Sequence, residues 1–277
     1  MNAEKTGFLN QDYQIFYLKT TEAKSFSYHY HEFYKILIFL QGDVDYFVEG
    51  KHYFLQPYDV VFIQPGNIHC PILQSSKTYE RIILYIATDF FEKWAIKGYS
   101  LVLPFQIASE NDTDVLHFKQ NELLSFYTYV QREYGKDYFA EELMTHTHFF
   151  QYLIHLNRIS SDVSDMQILN RGISNKKILD IISYINEQLE QPLDIEMIAN
   201  HFYWSRSYLM HFFKKETGLT LGHYITDKRM YLAQKKLTQG CSVTEAWMHS
   251  GYRDYQTFYK AYKKKFGIAP SDTVSNA

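Results

Sequence analysis

The feature that most constrains this chain is a duplication towards its C-terminal end. Phe213-Lys214-Lys215 is followed by Gly218, and Tyr262-Lys263-Lys264 by Gly267, so one ending recurs at an offset of 49 residues. A repeat of that length is one supersecondary unit used twice. Each copy reads as a pair of helices. Ile178, Ile181, Ile182, Ile185 and Leu189 recur at helical spacing and stop before Pro192. A second helix is expected over Ile195–Phe202 behind Asp194 as N-cap. A third runs from Ser205 to about Thr217 and is closed by Gly218. The pattern then repeats in Tyr224–Leu237, in Val243–His249 and, after a turn at Gly251, in Asp254–Phe266 before Gly267. Two short helices on a tight turn, the second opened by small polar residues and a base, form a helix-turn-helix.

The rest of the chain follows a different period. From about Phe26 to Ala87, short apolar runs alternate with turn signals. Tyr34–Leu40 precedes Gln41-Gly42-Asp43, Tyr46–Val48 precedes Glu49-Gly50-Lys51, and Val60–Ile63 precedes Pro65-Gly66-Asn67. That spacing predicts an antiparallel all-β unit. From about Asp114 to Asn157 the pattern turns helical, with Leu116, Leu123, Leu124, Tyr127 and Val130 in one series and Leu143, Phe149, Phe150, Leu153 and Leu156 in another. The polar stretch Ser160–Asn175 reads as a linker. The expectation is an α+β two-domain chain: residues 1–159 a small β-barrel with flanking helices, 160–175 a linker, and 176–277 an all-α domain with two helix-turn-helix units.

Composition narrows the function classes. Of 277 residues, 46% are hydrophobic and 21% charged, which is globular rather than disordered. The two cysteines, Cys70 and Cys241, lack metal-ligand spacing, so neither a disulfide framework nor a zinc finger is expected and a reducing compartment fits. The opening MNAEKTGFLN has no apolar core of the signal-peptide kind, and no run approaches the roughly 18 apolar residues of a membrane span. A soluble, cytoplasmic protein without membrane partners is expected. Charge is unevenly shared: residues 1–170 carry 13 Lys and Arg against 21 Asp and Glu, residues 171–277 carry 15 against 10. A net +5 on the helical part suits a polyanionic partner.

The region Lys176–Asp272 resembles the DNA-binding domain of AraC/XylS-type transcription regulators. The strings that carry the likeness are IEMIANHFYWSRSYLMHFFKKETG, the segment Tyr224–Leu237 with Arg229 and Ala233, and GYRDYQTFYKAYKKKFGIAPSD. The resemblance implies two helix-turn-helix subdomains on one linking helix, with recognition helices entering successive major grooves of double-stranded DNA. Arg206 then stands at the start of the first recognition helix, where its fork of donors reaches G O6 and N7. Ser205, Ser207 and His211 lie within reach of bases or phosphates. In the second unit Arg253, Tyr255, Gln256 and Lys260 take the comparable end, Gln256 being suited to adenine. Lys214, Lys215, Lys263, Lys264 and Lys265 are expected at phosphates; Tyr208, Leu209, Phe212, Phe213, Phe258 and Tyr262 are expected in the core. Two departures from the family pattern stand out. Ala246-Trp247 replaces an isoleucine–alanine pair, and Thr273-Val274 replaces a tyrosine–arginine pair.

The segment from His29 to about Ala87 resembles the cupin-type sensor barrel of the same regulators. Its two motifs are His29-Tyr30-His31 and Pro65-Gly66-Asn67-Ile68-His69. In a metal-binding cupin such histidines ligate one ion together with a glutamate, but Lys35 stands at the glutamate's place, with Glu32 beside it in sequence. An ammonium opposes a cation, so no metal and no other cofactor is expected. His29, His31 and Lys35 share parity and point to one side. With Tyr46 and His69 they are the candidate ligand-binding residues, fit for a hydroxylated or anionic small molecule. The 25 tyrosines and 21 phenylalanines suit a sugar, whose C–H face packs on aromatic rings. The rival reading is a metal-dependent cupin enzyme with an accessory helical domain; it shares the histidines but leaves the duplicated helix-turn-helix unexplained. No catalytic residues are expected. By resemblance the chain is a ligand-responsive activator that meets RNA polymerase, and a homodimer formed through the aromatic-rich segment Asp114–Asn157. An N-terminal arm over residues 1–25 is expected to respond to ligand.

Overall fold

A computed structural model describes residues 9, 11–21, 26–118, 123–161, 166–168 and 172–275. The chain divides between Ile173 and Ser174 into two units, with Glu49–Lys51 grouped with the second. The first unit contains β1 (Tyr13–Thr20), β2 (Tyr34–Gln41), β3 (Val44–Val48), β4 (Lys51–Phe54), β5 (Asp59–Ile63), β6 (His69–Leu73) and β7 (Tyr79–Ile86). It continues through α1 (Phe90–Lys93), α2 (Leu103–Glu110), β8 (Val115–Phe118), α3 (Leu124–Arg132), α4 (Glu141–Ser161), β9 (Met166–Ile168) and β10 (Gly172–Ser174). The strands form a six-stranded sheet in the order β1-β7-β2-β5-β8-β9 and a four-stranded sheet in the order β10-β4-β3-β6.

Both faces of the six-stranded sheet are covered, and the two-residue period of a strand decides which side chain goes where. Every position of β7 is buried. Its Ile82, Leu84 and Ile86 join Ile36 and Ile38 of β2 against the helices, in one core with Phe90, Phe105, Phe126, Phe149 and Tyr152. The alternate residues Tyr79, Ile83 and Tyr85 join Leu37 and Phe39 of β2 and meet Val44, Tyr46 and Val48 of β3 across the interior. Burial on both sides explains why β2, β5 and β7 read as continuous apolar runs rather than as alternating ones.

Several elements differ from the sequence reading. Residues 115–118 form strand β8, not the start of a helix. Leu116 precedes Leu123 by one heptad and so imitates a helical series, but β5 offers it a pairing edge at Asp59↔His117, Val60↔Leu116 and Val61↔Val115. Tertiary pairing overrides the local pattern there. Strand β1 lies within the expected arm and pairs with β7 along its length; residues 1–8, 10 and 22–25 of that arm lie outside the described residues. Helices α1 and α2, not expected from the sequence, bring Phe90, Phe91, Phe105 and Ala108 into the core. The stretch 160–175 contains the end of α4 and strands β9 and β10, of which β9 pairs with β8. The aromatics expected at a dimer face serve this unit instead: Phe126, Tyr127, Tyr129, Phe149 and Tyr152 are buried in it, with Phe150 packed against them.

The second unit contains α5 (Lys176–Glu187), α6 (Ile195–His201), α7 (Arg206–Thr217), α8 (Leu221–Thr238), α9 (Val243–Met248), α10 (Tyr255–Phe266) and α11 (Pro270–Ser275). The caps expected at Asp194 and Ser205 are present, and Ser242 and Asp254 cap two further helices. Asp194 accepts from Met197 N, Ser205 from Tyr208 N and Asp254 from Thr257 N, while Ser242 and Glu245 form a reciprocal capping box. Gly218 and Gly267 close α7 and α10 in the left-handed conformation, φ 72° and 76°. The two turns are not copies, however. The first spans residues 202–205 and carries Tyr203 at φ 56°; the second spans 249–254 and carries Gly251 at φ 73°.

Helix α8 is the element both halves share. Its Met230, Ala233 and Leu237 form a core with Ala246, Phe258 and Tyr262, while Tyr224 meets Phe213 edge to face at 5.3 Å. Arg229 donates from Nε to the Leu189 carbonyl (3.2 Å) and from Nη2 to the Gln191 carbonyl (2.8 Å), and its guanidinium lies over the Tyr252 ring. Gly251 lies against this arrangement: a Cβ there would stand 2.1 Å from the Leu189 oxygen and 2.6 Å from Arg229 Nε. At Gly222, in the first turn of the same helix, a Cβ meets nothing within 4 Å. Gly251→Ala is therefore expected to cost roughly 2–4 kcal/mol in urea unfolding of the full chain, from overpacking plus left-handed strain. Gly222→Ala is expected to be neutral or slightly stabilising. Equal effects would show that the crowding around Gly251 relaxes freely.

Candidate functional site

The duplicated unit presents two recognition helices with different chemistry. At the offset of 49, Arg206 matches Tyr255, Ser207 matches Gln256, His211 matches Lys260 and Lys214 matches Lys263. All eight are exposed, as are Ser205 and Arg253. Some are partly engaged. The Ser205 hydroxyl oxygen accepts the Tyr208 N–H at 3.2 Å as the cap of α7, so it is committed to the helix terminus. His211 Nδ1 lies 2.9 Å from the Ser207 carbonyl, which leaves Nε2 as the outward nitrogen. Arg253 Nη2 is 3.7 Å from Asp194, an exposed pair worth little in water.

Two expectations require correction. Lys265 is exposed like its neighbours but engaged: its ammonium donates to the buried Asp227 of α8 at 2.6 Å, so it is not a bare phosphate-facing cation. Tyr208 is not core; it is 52% exposed on α7 and stacks on Phe212. The exposed Tyr203 in the first turn was also missed by the sequence reading, which had no signal beyond its position between two caps. The Ala246-Trp247 departure is resolved by packing. Ala246 is enclosed in the α8 core, and the Trp247 ring meets Tyr255 edge to face at 5.8 Å, bracing the first residue of α10. Thr273 is buried and bonds the Tyr262 hydroxyl at 2.8 Å, tying α11 to α10.

The second candidate site lies in the first unit. Strand β2 begins only at Tyr34, so His29 and His31 precede it rather than share a strand with Lys35; the single bridge His29↔His69 holds that segment to β6. The three rings converge nonetheless, with centroids 4.5 Å apart for His29–His69, 4.9 Å for His29–His31 and 5.0 Å for His31–His69. Lys35 Nζ lies 3.2 Å from His69 Nε2, and the Tyr46 ring lies parallel to His69 at 6.2 Å. His31, Lys35 and His69 are enclosed, at 1%, 1% and 0% exposure, and His29, of intermediate exposure as a residue, buries its Nε2 against them. The sequence reading missed Phe33, stacked on His31, and Tyr85, 5.1 Å from it; the parity of β7 would have pointed to Tyr85.

Hydrogen bonding assigns the tautomers. His69 Nδ1–H donates to the Asn67 carbonyl at 2.9 Å, so its Nε2 lone pair accepts from the Lys35 ammonium. His29 Nδ1 donates to the Ser27 carbonyl at 2.7 Å. Burial first, then the Lys35, His29 and His31 charges, hold His69 well below the usual imidazole range, opposed by its bond to Asn67. The three imidazoles are a ligand set that suits a transition metal. The donor set as a whole does not fit one, because the His69 lone pair is spent on an ammonium. Glu32 does not enter the cluster, and burial alone pushes its carboxyl up to about 8.

Residues 198–276 match the family model described as a helix-turn-helix domain, and residues 13–118 match the AraC-like ligand binding domain. The chain is 36% identical over 102 residues to the regulatory protein SoxS of Escherichia coli K12, an alignment covering 36% of this chain and 95% of SoxS. This chain belongs to the AraC/XylS family. The multiple antibiotic resistance protein MarA of Salmonella typhimurium LT2 is 32% identical over 94 residues, covering 34% of this chain and 74% of MarA. Among solved structures, the C-terminal domain of the response regulator AraT from Geobacillus stearothermophilus is 27% identical with a TM-score of 0.34, over 35% of this chain and 83% of that one. Like its family, this AraC/XylS member is a DNA-binding transcription regulator with a ligand-binding domain, and not an enzyme. Among the described residues no helix is long and apolar enough to cross a membrane.

The state of His69 gives the regulator's sensor unit a signed pH dependence. An unfolded imidazole gains its proton as pH falls through about 6.5, whereas folded His69 resists until far lower. Its contribution to stability is therefore complete above that range and lost as pH falls below it. The melting temperature of the full chain is expected to drop between neutral pH and pH 5, and His69→Gln to flatten that slope. An unchanged slope would remove His69 from the account.

Proposed function

We propose that this chain is a cytoplasmic, ligand-responsive activator that reads two DNA blocks with α7 and α10 and takes a hydroxylated small molecule at His29, His31, Lys35, Tyr46 and His69. One observation carries the DNA half: two capped, glycine-closed helices in register on a shared helix, each with exposed polar side chains on its first turns. Arg206, Ser207 and Gln256 are the base-reading side chains, and His211, Tyr255 and Lys260 flank them. Lys214, Lys263, Arg253 and the Ser205 end of α7 position the backbone. The aromatic lining of the ligand site supports a ring-bearing effector of sugar type. The liganded regulator acts as a homodimer and engages RNA polymerase. The dimer reading is supported by exposed apolar side chains of the first unit, among them Leu143, Met144 and Ile154 of α4 with Trp94, Ile96 and Tyr99. A groove of about 710 Å³ runs between the last four of these.

Selection of the full chain on random duplex DNA at physiological salt is expected to enrich a site with two blocks about one helical turn apart. On that site Arg206→Ala is expected to cost roughly 1–3 kcal/mol and to relax one base position. Equal weakening on every sequence would assign Arg206 to phosphate, and a single enriched block would mean that α10 grips the backbone only. Sedimentation of the full chain as a monomer at micromolar concentration would count against the dimer.

A further inference from the structure

We infer that the first unit carries a second small-molecule site, on the helical side of its six-stranded sheet, and that this site takes a small organic ammonium ion. The site is a cavity of about 570 Å³ bounded by the first residue of β2 and by helices α1 and α2, a volume in the range of small-molecule pockets. It is separate from the histidine–lysine cluster, because successive strand residues face opposite ways. Lys35 shares the parity of Leu37 and Phe39 in the barrel interior, whereas Tyr34 beside it packs into the helical core.

The floor of the cavity is aromatic. Tyr34, Phe91 and Phe105 meet pairwise, with centroids 5.1, 4.9 and 5.8 Å apart and planes 76°, 65° and 62° from one another. Phe91 and Phe105 are buried and Tyr34 is partly so, and the core to which they belong holds the three rings in place. The faces of such rings carry negative potential and attract a cation. A compact, strongly hydrated inorganic cation gains little from them. An alkylated ammonium gains twice, through its charge and through the methyl or methylene groups that pack on the rings.

The rim is acidic. Glu92 of α1 and Glu110 at the end of α2 both line the cavity, and neither carboxylate is engaged in an ion pair among the described residues. Gln106 lies one turn before Glu110 and so shares its face of α2, offering an amide to a polar substituent of the ligand. Among the described residues no basic side chain lines the cavity. Lys93, next to Glu92 in sequence, is held by both carboxylate oxygens of Asp12 at 2.6 and 2.8 Å. Helix α2 has no basic residue in its last turn, so its carbonyl end adds to the negative potential of Glu110 without being offset. Two exposed carboxylates alone are an ordinary solvated surface. Their place above a floor of three rings, in a wall without a cation, is what selects the ligand. A neutral sugar leaves both charges unanswered, and an organic anion is repelled by them.

The test uses the full-length protein with choline as the probe, dimethylbutanol as its neutral carbon isostere, and sodium chloride at matched ionic strength as the control for screening. Isothermal titration calorimetry and thermal melting are the readouts. Choline is expected to bind saturably and to raise the melting temperature, while the alcohol and the salt do neither. Glu92→Gln and Glu110→Gln are each expected to weaken choline binding by about two- to fivefold, and the double variant by about tenfold. Tyr34→Leu is expected to weaken it by about fivefold. Glu142→Gln, on α4 and outside the cavity, is expected to leave it unchanged. Both cavity glutamates are exposed, so their variants keep the fold even if Tyr34→Leu disturbs packing. Choline without a saturable response, choline and dimethylbutanol binding alike, or undiminished binding by the double glutamine variant would each overturn the inference. So would an equal loss in Glu142→Gln, which would assign the effect to the general charge of the unit.

Discussion

The guanidinium of Arg229 is the contact on which the DNA-binding unit depends. It leaves the linking helix α8, satisfies two carbonyls in the connection after α5, and lies over Tyr252 at the turn before the second recognition helix. One side chain thus ties the entry to the first helix-turn-helix copy and the turn of the second to the helix that joins them. Burial lowers its basicity somewhat, opposed by Tyr252, yet guanidinium stays charged in any protein setting. Its charge is met by carbonyl dipoles instead of a carboxylate, an arrangement that needs accurate backbone placement. That is why the turn beside it has glycine: the oxygen of Leu189 occupies the space where any Cβ would go.

The sensor unit solves a different problem with the same economy of parts. A single six-stranded sheet serves two cores, one against helices and one inside the barrel, and the alternation of strand residues sorts side chains between them. The polar cluster of His31, Lys35 and His69 sits within the second core, at positions that would otherwise hold apolar side chains. Buried polar groups are costly unless bonded. Here His69 uses both ring nitrogens, one on the Asn67 carbonyl and one on Lys35, so the cluster is partly neutralised by its own geometry.

Much of this was legible in the sequence. Caps and closing glycines are local signals, and Asp194, Ser205, Gly218 and Gly267 all stand where the pattern put them. The convergence of His29, His31 and His69 was implied by the resemblance to cupin motifs, and parity added Lys35, although it misplaced His29 and His31 on the strand that holds Lys35. What was illegible depended on partners distant in sequence. Nothing in Val115–Phe118 announces a strand until β5 offers its edge. Nothing around Lys265 distinguishes it from Lys263 and Lys264 until α8 brings Asp227 within reach. The aromatics of α3 and α4 looked like surplus because α1 and α2, which they pack against, had not been read as helices.

The double burial of β7 also bears on how such a sensor can change over generations. Its residues at 82, 84 and 86 answer to the helical layer, where a change of volume disturbs packing shared with α1 to α4. Those at 79, 81, 83 and 85 answer to the interior that holds the histidine–lysine cluster. A change in one set can therefore alter the interior around that cluster while the other set stays under a separate packing constraint. The period of two along one strand thus divides two packing constraints without any division of the sequence into segments.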